Sequence, residues 1–245
     1  MRLGIVSDIH ANLVALEAVL GDLQRRGVER AICLGDVVNS GPQPAQTVRR
    51  LRALGWPVVM GNEDQGMLAP QPYQGDDPFY RIISDIDLWC LSQLNAEDLD
   101  YVSTFKASIE MPLGDKEKLL AFHGSPRANT DVIASTTPQG QLEQWFAGLS
   151  ALVFAGGHTH TQMLRRFDRA FLINPGSVGL AYEHKHGRRE ARNVPWAEYA
   201  LLDWGEPGIS IQFLRVPFDI ESLFQAAHAA RMPHADWWVG GGRPA

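Results

Sequence analysis

The chain opens with the stretch that decides its fold, Leu3-Gly4-Ile5-Val6-Ser7-Asp8-Ile9-His10, in which an apolar run is followed by two side chains that can bind a metal ion. Four later apolar runs have the same form and end at Asp36, Asn62, His123 and the pair His158 and His160. Short apolar runs that end in polar residues, most of them after a glycine, are typical of buried strands. Ligands of open α/β sheets bind beyond the carboxyl ends of the strands, so we expect these seven side chains to converge on one rim.

The composition indicates an ordinary globular protein. The 245 residues carry a formal net charge of -6, and 45% of them are hydrophobic and 20% charged, which favours a single domain over residues 1–245. Such an acidic chain is not expected to bind a nucleic-acid duplex, and no apolar run reaches membrane-spanning length. We expect Cys33 and Cys90 to be small core residues, and the cytoplasm is the expected location.

The order of the predicted elements indicates an α/β protein. Helices are expected at 12–26 and 45–54, each after a strand, and this repeated strand-helix unit implies parallel strands. Residues 66–105 are expected to form a helical excursion outside the sheet, beginning with a loop at 66–79. From residue 161 onward, short alternating segments predict an antiparallel second sheet. The tail Trp237-Trp238 has no clear periodicity, and it either packs onto the body or contacts a partner.

The seven candidate ligands suit two metal ions better than one. Two ions about 3.5–4 Å apart can activate a shared water and clamp both ends of an in-line phosphoryl displacement. Asp36, at the end of an expected central strand, has the position for a carboxylate that bridges them. Two divalent ions would carry four positive charges and Asp8 and Asp36 only two negative ones, so the site favours an anionic phosphate ester.

Taken together, these motifs resemble those of the calcineurin-like metallophosphoesterases, and in particular their small bacterial and archaeal phosphodiesterase-like branch. The matching stretches are Asp8-Ile9-His10-Ala11-Asn12, Gly35-Asp36-Val37-Val38, Gly61-Asn62-Glu63-Asp64, His123-Gly124-Ser125-Pro126, Gly157-His158-Thr159-His160, Asn174-Pro175-Gly176-Ser177-Val178-Gly179 and Arg215-Val216-Pro217-Phe218-Asp219. The resemblance runs from residue 1 to about residue 231. It implies an α/β fold, a two-sheet β-sandwich flanked by helices, with a dinuclear metal site at the carboxyl ends of the strands.

The resemblance also implies how the ligands divide between the ions. One ion would be bound by Asp8, His10, Asp36 and His160, and the other by Asp36, Asn62, His123 and His158. The candidate catalytic residues are Asp36, Asn62, Glu63 and His123. Manganese is the first choice of metal by resemblance, and a mixture of imidazole and oxygen ligands also suits iron, zinc, cobalt or nickel.

Glu63 departs from the family pattern. The family usually has Gly-Asn-His-Asp or Gly-Asn-His-Glu there, and its histidine is assigned to leaving-group protonation or phosphate contact. Two nearby cations should lower the pKa of the Glu63 carboxyl, which makes it a poor general acid at neutral pH. A carboxylate also repels a dianionic monoester more than a monoanionic diester, so we expect a bias toward diesters. The alternative is a surface Glu63 that is turned away from the site.

Two further residues are candidates for substrate contact. Asn12 would contact phosphate or a metal-bound water, or it would cap the first helix. Arg127, close in sequence to His123, would orient a phosphate oxygen. A polar loop is expected to be solvated rather than to reach over the cleft, and it contains His184, His186, Arg188, Arg189 and Arg192.

Three functions are consistent with this pattern. The leading one is a phosphodiesterase that uses a hydroxide bridging two metal ions for in-line attack on phosphorus, with a small phosphate ester or nucleotide as substrate. The alternatives among enzymes are a phosphomonoesterase and a nucleoside polyphosphate hydrolase, whose phosphate leaving groups need little acid help. The alternative of another class is a catalytically weak metal-binding scaffold, similar to the phosphoesterase-like subunit of retromer, which also lacks the histidine. The complete ligand set favours an enzyme.

Overall fold

A computed structural model describes residues 1–181, 183–185, 188–190, 193–206 and 208–240, and for residues 183–185 and 188–190 it describes the backbone alone. The strands are β1 Arg2–Val6, β2 Ala31–Cys33, β3 Ser108–Pro112, β4 Lys118–Phe122, β5 Val153–Ala155, β6 Met163–Phe167, β7 Ala170–Asn174, β8 Glu183–Lys185, β9 Arg188–Glu190, β10 Trp196–Gly205 and β11 Gly208–Pro217. The helices are α1 Leu13–Arg25, α2 Pro44–Leu54, α3 Asn62–Leu68, α4 Pro78–Ser92, α5 Ala96–Ser103, α6 Gln139–Trp145, α7 Ile220–Ala229 and α8 Ala235–Val239.

Two sheets form the centre of the fold. The four-stranded sheet has the order β11-β10-β1-β2, and the five-stranded sheet has the order β3-β4-β5-β7-β6. β1 and β2 are parallel, as the strand-helix repeat predicts, and β4, β5 and β7 are parallel as well. β8 and β9 form a separate hairpin. The predicted α/β class, with two sheets flanked by helices, is therefore confirmed.

The two sheets meet through a buried apolar core. Leu3 and Ile5 of β1 belong to the same cluster of buried side chains as Leu119 and Ala121 of β4. Side chains alternate across a strand, so Val6 points to the opposite face of β1, where it lies in the cluster that includes the apolar residues of α1. Because both faces are covered, β1 and β4 are near-continuous apolar runs rather than alternating ones.

The prediction of a separate antiparallel sheet after residue 161 is wrong. The pairs β6-β7 and β10-β11 are antiparallel hairpins, as their patterns indicate. However, β7 also pairs with β5, and β10 also pairs with β1, so one hairpin joins each of the two sheets. Strands that are neighbours in sequence tend to pair with each other, but the sheet that a hairpin joins depends on contacts with residues far away in the chain.

The third apolar run does not form a regular strand. Val58 makes a single parallel bridge to Cys33, and Val59 makes another to Lys106. The two bridges still hold the run beside β2, which places Asn62 at the same end of the sheet as the residues after β2.

The segment 66–105 is largely helical, with different boundaries from those predicted. α3 ends at Leu68 and therefore includes the start of the predicted loop, and α4 and α5 follow. Asn95 caps α5 by accepting a hydrogen bond from Asp98 N. The predicted polar loop contains the β8-β9 hairpin, while His186 and Arg192 lie outside the described residues. None of the helices described is long and apolar enough to cross a membrane.

Replacing Leu119 with alanine tests the core between the sheets. Leu119 is fully buried there, and the cavity left by a Leu→Ala change in a core costs about 2–5 kcal/mol. We expect denaturant unfolding to show a loss of that size in the free energy of unfolding. Leu164→Ala is the matched control, because Leu164 is 47% exposed and its truncation should cost less than about 0.5 kcal/mol. Equal losses in the two variants would contradict this core.

Candidate metal centre

The seven candidate ligands lie where strands of both sheets end. The four-stranded sheet supplies Asp8, His10 and Asp36, the five-stranded sheet supplies His123, His158 and His160, and the first residue of α3 supplies Asn62. The side chains lie together at strand ends, and these strands belong to two sheets rather than to a single open sheet. The centre lies instead where the rims of two sheets meet, because the strands that carry the ligands pack face to face.

Six of these side chains form two triads, and within each triad the potential ligand atoms lie within 4.8 Å of one another. The first triad is Asp8, His10 and His160, and the second is Asp36, His123 and His158. In the first, His160 Nε2 lies 3.0 Å from His10 Nε2 and 3.3 Å from Asp8 Oδ1. In the second, His123 Nε2 lies 3.2 Å from Asp36 Oδ2. Asn62 Oδ1 lies 3.1 Å from His123 Nε2, so it adjoins the second triad.

Asp8 lies between the two triads. Its Oδ1 is 4.0 Å from both His10 Nε2 and His123 Nε2. This oxygen is buried and has no hydrogen-bond partner among the described residues, which is costly for a carboxylate unless a positive charge compensates it. The bridging role expected for Asp36 stays a prediction: the charge of Asp36 acts on His123 of its own triad and also on His10 of the first triad.

Two histidines are oriented so that one ring nitrogen faces the centre. His123 Nδ1 donates to the carbonyl oxygen of Leu34 at 2.7 Å, and His160 Nδ1 donates to the carbonyl oxygen of Leu180 at 2.8 Å. Since a carbonyl oxygen can only accept, Nδ1 carries the proton in each ring, and Nε2 of each is the nitrogen directed at the triads. Metal-binding histidines are commonly fixed in this way. The donors thus fit transition-metal ions that prefer imidazole and oxygen.

The backbone is strained at five of the seven candidate ligands. The φ angles lie in the left-handed region at Asp8 (55°), His10 (47°), Asp36 (54°), His158 (67°) and His160 (52°). Non-glycine residues adopt this region infrequently, and such strain is concentrated at functional sites. Contacts between strand exits hold it in place, because both the Asp8 N to Gly35 O and the His10 N to Asp36 O hydrogen bonds measure 2.9 Å. The sequence analysis did not identify this feature.

Asp64 holds the loop that carries Asp36, a role that the sequence analysis missed. Its Oδ2 accepts from Asp36 N at 2.8 Å and from Gly61 N at 3.2 Å, and its Oδ1 accepts from Val37 N at 2.8 Å. Gly61 is required beside it, since a Cβ there would overlap Asp36 N and Oδ1. The available signal was the position of Asp64 three residues after Gly61, where an acidic side chain can reach back to the start of a helix.

The charged groups of the centre stabilise one another. Burial opposes the ionised forms of Asp8 and Asp36, but His160 and His123 respectively outweigh it and hold the pKa of each carboxyl below its usual value. Burial would lower the pKa of His123, yet Asp36 and Asp8 raise it to about 10. Burial lowers the pKa of His10 to about 4. The pocket thus stabilises carboxylates together with a positive charge beside them, as a cation site does.

Glu63 faces the centre and is not a surface carboxylate turned away from it. It lines the same cleft as His10 and Asp36. Its Oε1 accepts from Asn62 Nδ2 at 3.2 Å, and its Oε2 accepts from Asn39 Nδ2. Burial and the charge of Asp36 raise the pKa of Glu63. The lowered pKa expected beside two cations concerns the loaded site and stays a prediction.

The two candidate substrate contacts are engaged elsewhere. Asn12 caps α1, because its Oδ1 accepts from Ala15 N at 2.9 Å, and its Nδ2 donates to the carbonyl oxygen of Gly179 at 3.1 Å. The structure therefore supports the cap rather than the phosphate contact. Arg127 pairs with Asp131 through two hydrogen bonds, at 2.8 and 3.0 Å, and stacks over Trp145. It does not line either cleft of the centre, because this pairing holds it on the surface.

Two clefts open beside the centre. The first has a volume of about 350 Å³ and the second of about 380 Å³, and both are lined by Asn62, Glu63, Tyr80 and Ile83. The tail Trp237-Trp238 belongs to α8 and lines the first cleft, with Trp238 only 6% exposed. Of the two interpretations open for the tail, packing onto the body is the one observed.

Comparisons with known proteins agree with this geometry. The model of the calcineurin-like phosphoesterase superfamily domain matches residues 1–193. The uncharacterised protein MJ0912 of Methanocaldococcus jannaschii is 29% identical over 251 aligned positions, covering 97% of this chain and 95% of that protein. Phosphodiesterase YfcE of Escherichia coli K12 is 27% identical over 190 positions, covering 74% of this chain and 80% of that protein. The crystal structure of a metallophosphoesterase from Sphaerobacter thermophilus has a TM-score of 0.75 at 28% identity and covers 99% of both chains.

The chain therefore belongs to the calcineurin-like phosphoesterase superfamily, since the family match spans most of its length. It is a metallophosphoesterase, an enzyme that hydrolyses phosphoesters with the help of metal ions.

Asp64→Ala should weaken metal binding without removing any candidate ligand. Three backbone N–H groups lose their acceptor, and loss of such supporting partners typically lowers metal affinity about 10- to 100-fold. Titration with Mn²⁺ against a competing chelator measures the change. Asp98→Ala is the control. Asp98 is equally buried, and it accepts hydrogen bonds from Arg49 and from the backbone N–H of Asn95, outside the metal centre. We expect both variants to lose stability and only Asp64→Ala to lose affinity; an equal loss of affinity in both would contradict the positioning role.

Proposed function

We propose that this enzyme is a metal-dependent phosphodiesterase. The two triads at the meeting sheet rims carry the proposal, because they offer two adjacent sets of imidazole and carboxylate donors. In the proposed arrangement one ion would be held by Asp8, His10, Asp36 and His160, and the other by Asp36, Asn62, His123 and His158. These ions, when bound, supply an activated water for in-line attack and neutralise charge on the phosphate.

The charges and the fixed positions of the site's side chains favour an anionic substrate. With two carboxylates against two divalent ions, the loaded centre keeps a surplus of positive charge that favours a phosphate ester. The Nδ1 bonds of His123 and His160 to backbone carbonyls fix both rings before substrate arrives, and Asp64 fixes the loop of Asp36. The pre-oriented donors therefore need little rearrangement during the reaction.

Two observations favour diesters over monoesters. Glu63 places a carboxylate at the cleft beside the centre, and it repels a dianionic monoester more than a monoanionic diester. The two clefts that meet at Asn62 and Glu63 also offer space for two substituents on one phosphate. The name of the relative YfcE, a phosphodiesterase 27% identical over 190 positions, points in the same direction.

The remaining parts of the proposal concern the metal and the setting. Manganese is the proposed ion, and iron, zinc, cobalt and nickel are compatible with the same mixed donors. The proposed substrate is a small phosphate ester or nucleotide, and the proposed location is the cytoplasm.

Metal dependence is tested on stripped protein. We expect the chelator-treated protein to lose hydrolysis of bis(p-nitrophenyl) phosphate and to recover it on reloading, most strongly with Mn²⁺. Asp36→Ala should lower kcat at least about 1,000-fold under the same conditions, because the chemistry requires both ions. Asp168→Ala, a change of an acidic turn residue outside both triads, is the control. Full activity in stripped protein, or metal binding without hydrolysis of any phosphate ester, would refute the proposal; the latter result would indicate a scaffold.

The role of Glu63 is tested by the ratio of two substrates. We expect the wild-type protein to hydrolyse bis(p-nitrophenyl) phosphate with a higher kcat/KM than p-nitrophenyl phosphate. Glu63→Gln removes one negative charge and should raise the monoester-to-diester ratio of kcat/KM about tenfold, and Glu63→His should raise it as well. Glu143→Gln, an exposed position on α6, should leave the ratio unchanged. A clear monoester preference in the wild-type protein would argue against the diester assignment.

A further inference from the structure

The first cleft has two unlike sides. The metal centre forms one side, with His10, Asp36 and His158 among its residues. The other side is formed by aromatic rings from α4 and α8, namely Phe79, Tyr80, Trp237 and Trp238. The chemistry proposed for the centre requires only the charged side, so the aromatic side needs a separate explanation.

Hydrogen bonds hold the aromatic side of the cleft in place, and we call its four residues, Phe79, Tyr80, Trp237 and Trp238, the aromatic wall. Trp238 Nε1 donates to the carbonyl oxygen of Ser40 at 2.9 Å, and Asn193 Nδ2 donates to the carbonyl oxygen of Trp238 at 2.9 Å. At the start of α8, His234 Nε2 lies 2.8 Å from Asp85 Oδ2 of α4. These contacts fasten α8 to the loop after β2 and to α4, so the wall is in place before any ligand binds.

Phe79 contacts two other rings of the wall. Phe79 and Trp237 meet with ring centroids 5.8 Å apart, and Phe79 and Tyr80 meet edge to face at 5.4 Å. Tyr80 is 56% exposed at the cleft. A large exposed aromatic side chain beside other rings marks an interaction surface more often than an isolated exposed residue does, and such rings bind another ring in edge-to-face or offset-stacked geometry.

We propose that the first cleft binds an aromatic ring carried by the phosphate ester, so that the substrate is a monoanionic ester with at least one aryl or nucleobase substituent. The volume of about 350 Å³ lies in the range of small-molecule sites. This inference rests on the proposed function only for the anionic end of the ligand. The family model covers residues 1–193, so Trp237 and Trp238 lie outside the residues that this model describes.

The test measures binding rather than turnover. Three monoanionic probes share a methyl ester on phosphorus and differ in one group: the monomethyl esters of methylphosphonate, cyclohexylphosphonate and phenylphosphonate. Their dissociation constants on Mn²⁺-loaded protein are measured by titration calorimetry. We expect the phenyl probe to bind about tenfold more tightly than the methyl probe and several-fold more tightly than the cyclohexyl probe, because aromatic pairs gain beyond the apolar area they bury. A thymidine ester of methylphosphonate then distinguishes a nucleobase from a simple aryl group.

Variants localise the effect to the wall. Tyr80→Ala and Trp237→Ala should each reduce the phenyl-to-methyl preference to about threefold or less. The Tyr80→Ala variant is needed in case Trp237→Ala disrupts the folding of the C-terminal tail. Tyr80 is largely exposed and lies on α4, so its truncation should leave the tail folded. Leu164→Ala, on the exposed surface of β6, is the control and should keep the tenfold preference.

The outcomes separate this inference from the proposed function. The proposed aromatic site would be overturned if the phenyl probe bound no more tightly than the methyl probe or the cyclohexyl probe. It would also be overturned if both wall variants kept the phenyl preference unchanged. Either result would stand even if diesters are hydrolysed. Tenfold tighter binding of the phenyl probe would support it even if no diester is hydrolysed, in which case only the proposed function fails.

Discussion

The burial of two carboxylates among four histidines, where the rims of two sheets meet, is the constraint on which the rest of the structure depends. Asp8 Oδ1 is buried with no hydrogen-bond partner among the described residues, and Asp36 is compensated by the imidazole of His123. In a low-dielectric interior such charges require positive partners. Metal ions would provide that compensation more fully than a proton on one ring, which explains why the strands of both sheets can end in polar residues at this site.

The surrounding chain serves to hold these donors in a strained arrangement. Five of the seven candidate ligands have left-handed φ angles, and a surrounding structure has to over-determine such angles for them to persist. Here the hydrogen bonds between strand exits, the carbonyl partners of His123 and His160, and the carboxylate of Asp64 perform that function. The stability of the apolar core between the sheets thus supports the precision of the centre.

Chemistry and selectivity are divided between different parts of the chain. The strand exits that carry the candidate ligands all lie within residues 1–193, the region that matches the family. The aromatic wall combines α4, from the helical segment outside the sheets, with α8, which follows the residues that the family model covers. Function within a fold family varies through such peripheral elements while the central site is retained. Glu63 lies next to the centre, at the position where the resemblance to the family leads us to expect a histidine.

The sequence by itself determined four of the five strands that end in donors, the first two helices and the family, because an apolar run followed by a ligand residue is visible in the local order of residues. It did not determine which sheet the C-terminal hairpins join, or that two sheet rims supply the centre, since contacts between distant residues decide both. From the sequence, Asn12 is a candidate for phosphate contact or for the helix cap, and Arg127 is a candidate for phosphate contact; only the tertiary structure shows that Asn12 caps α1 and that Arg127 pairs with Asp131. The wall of Trp237 and Trp238 likewise exists only once α8 packs against α4, because hydrogen bonds to Ser40 and Asp85 place it there.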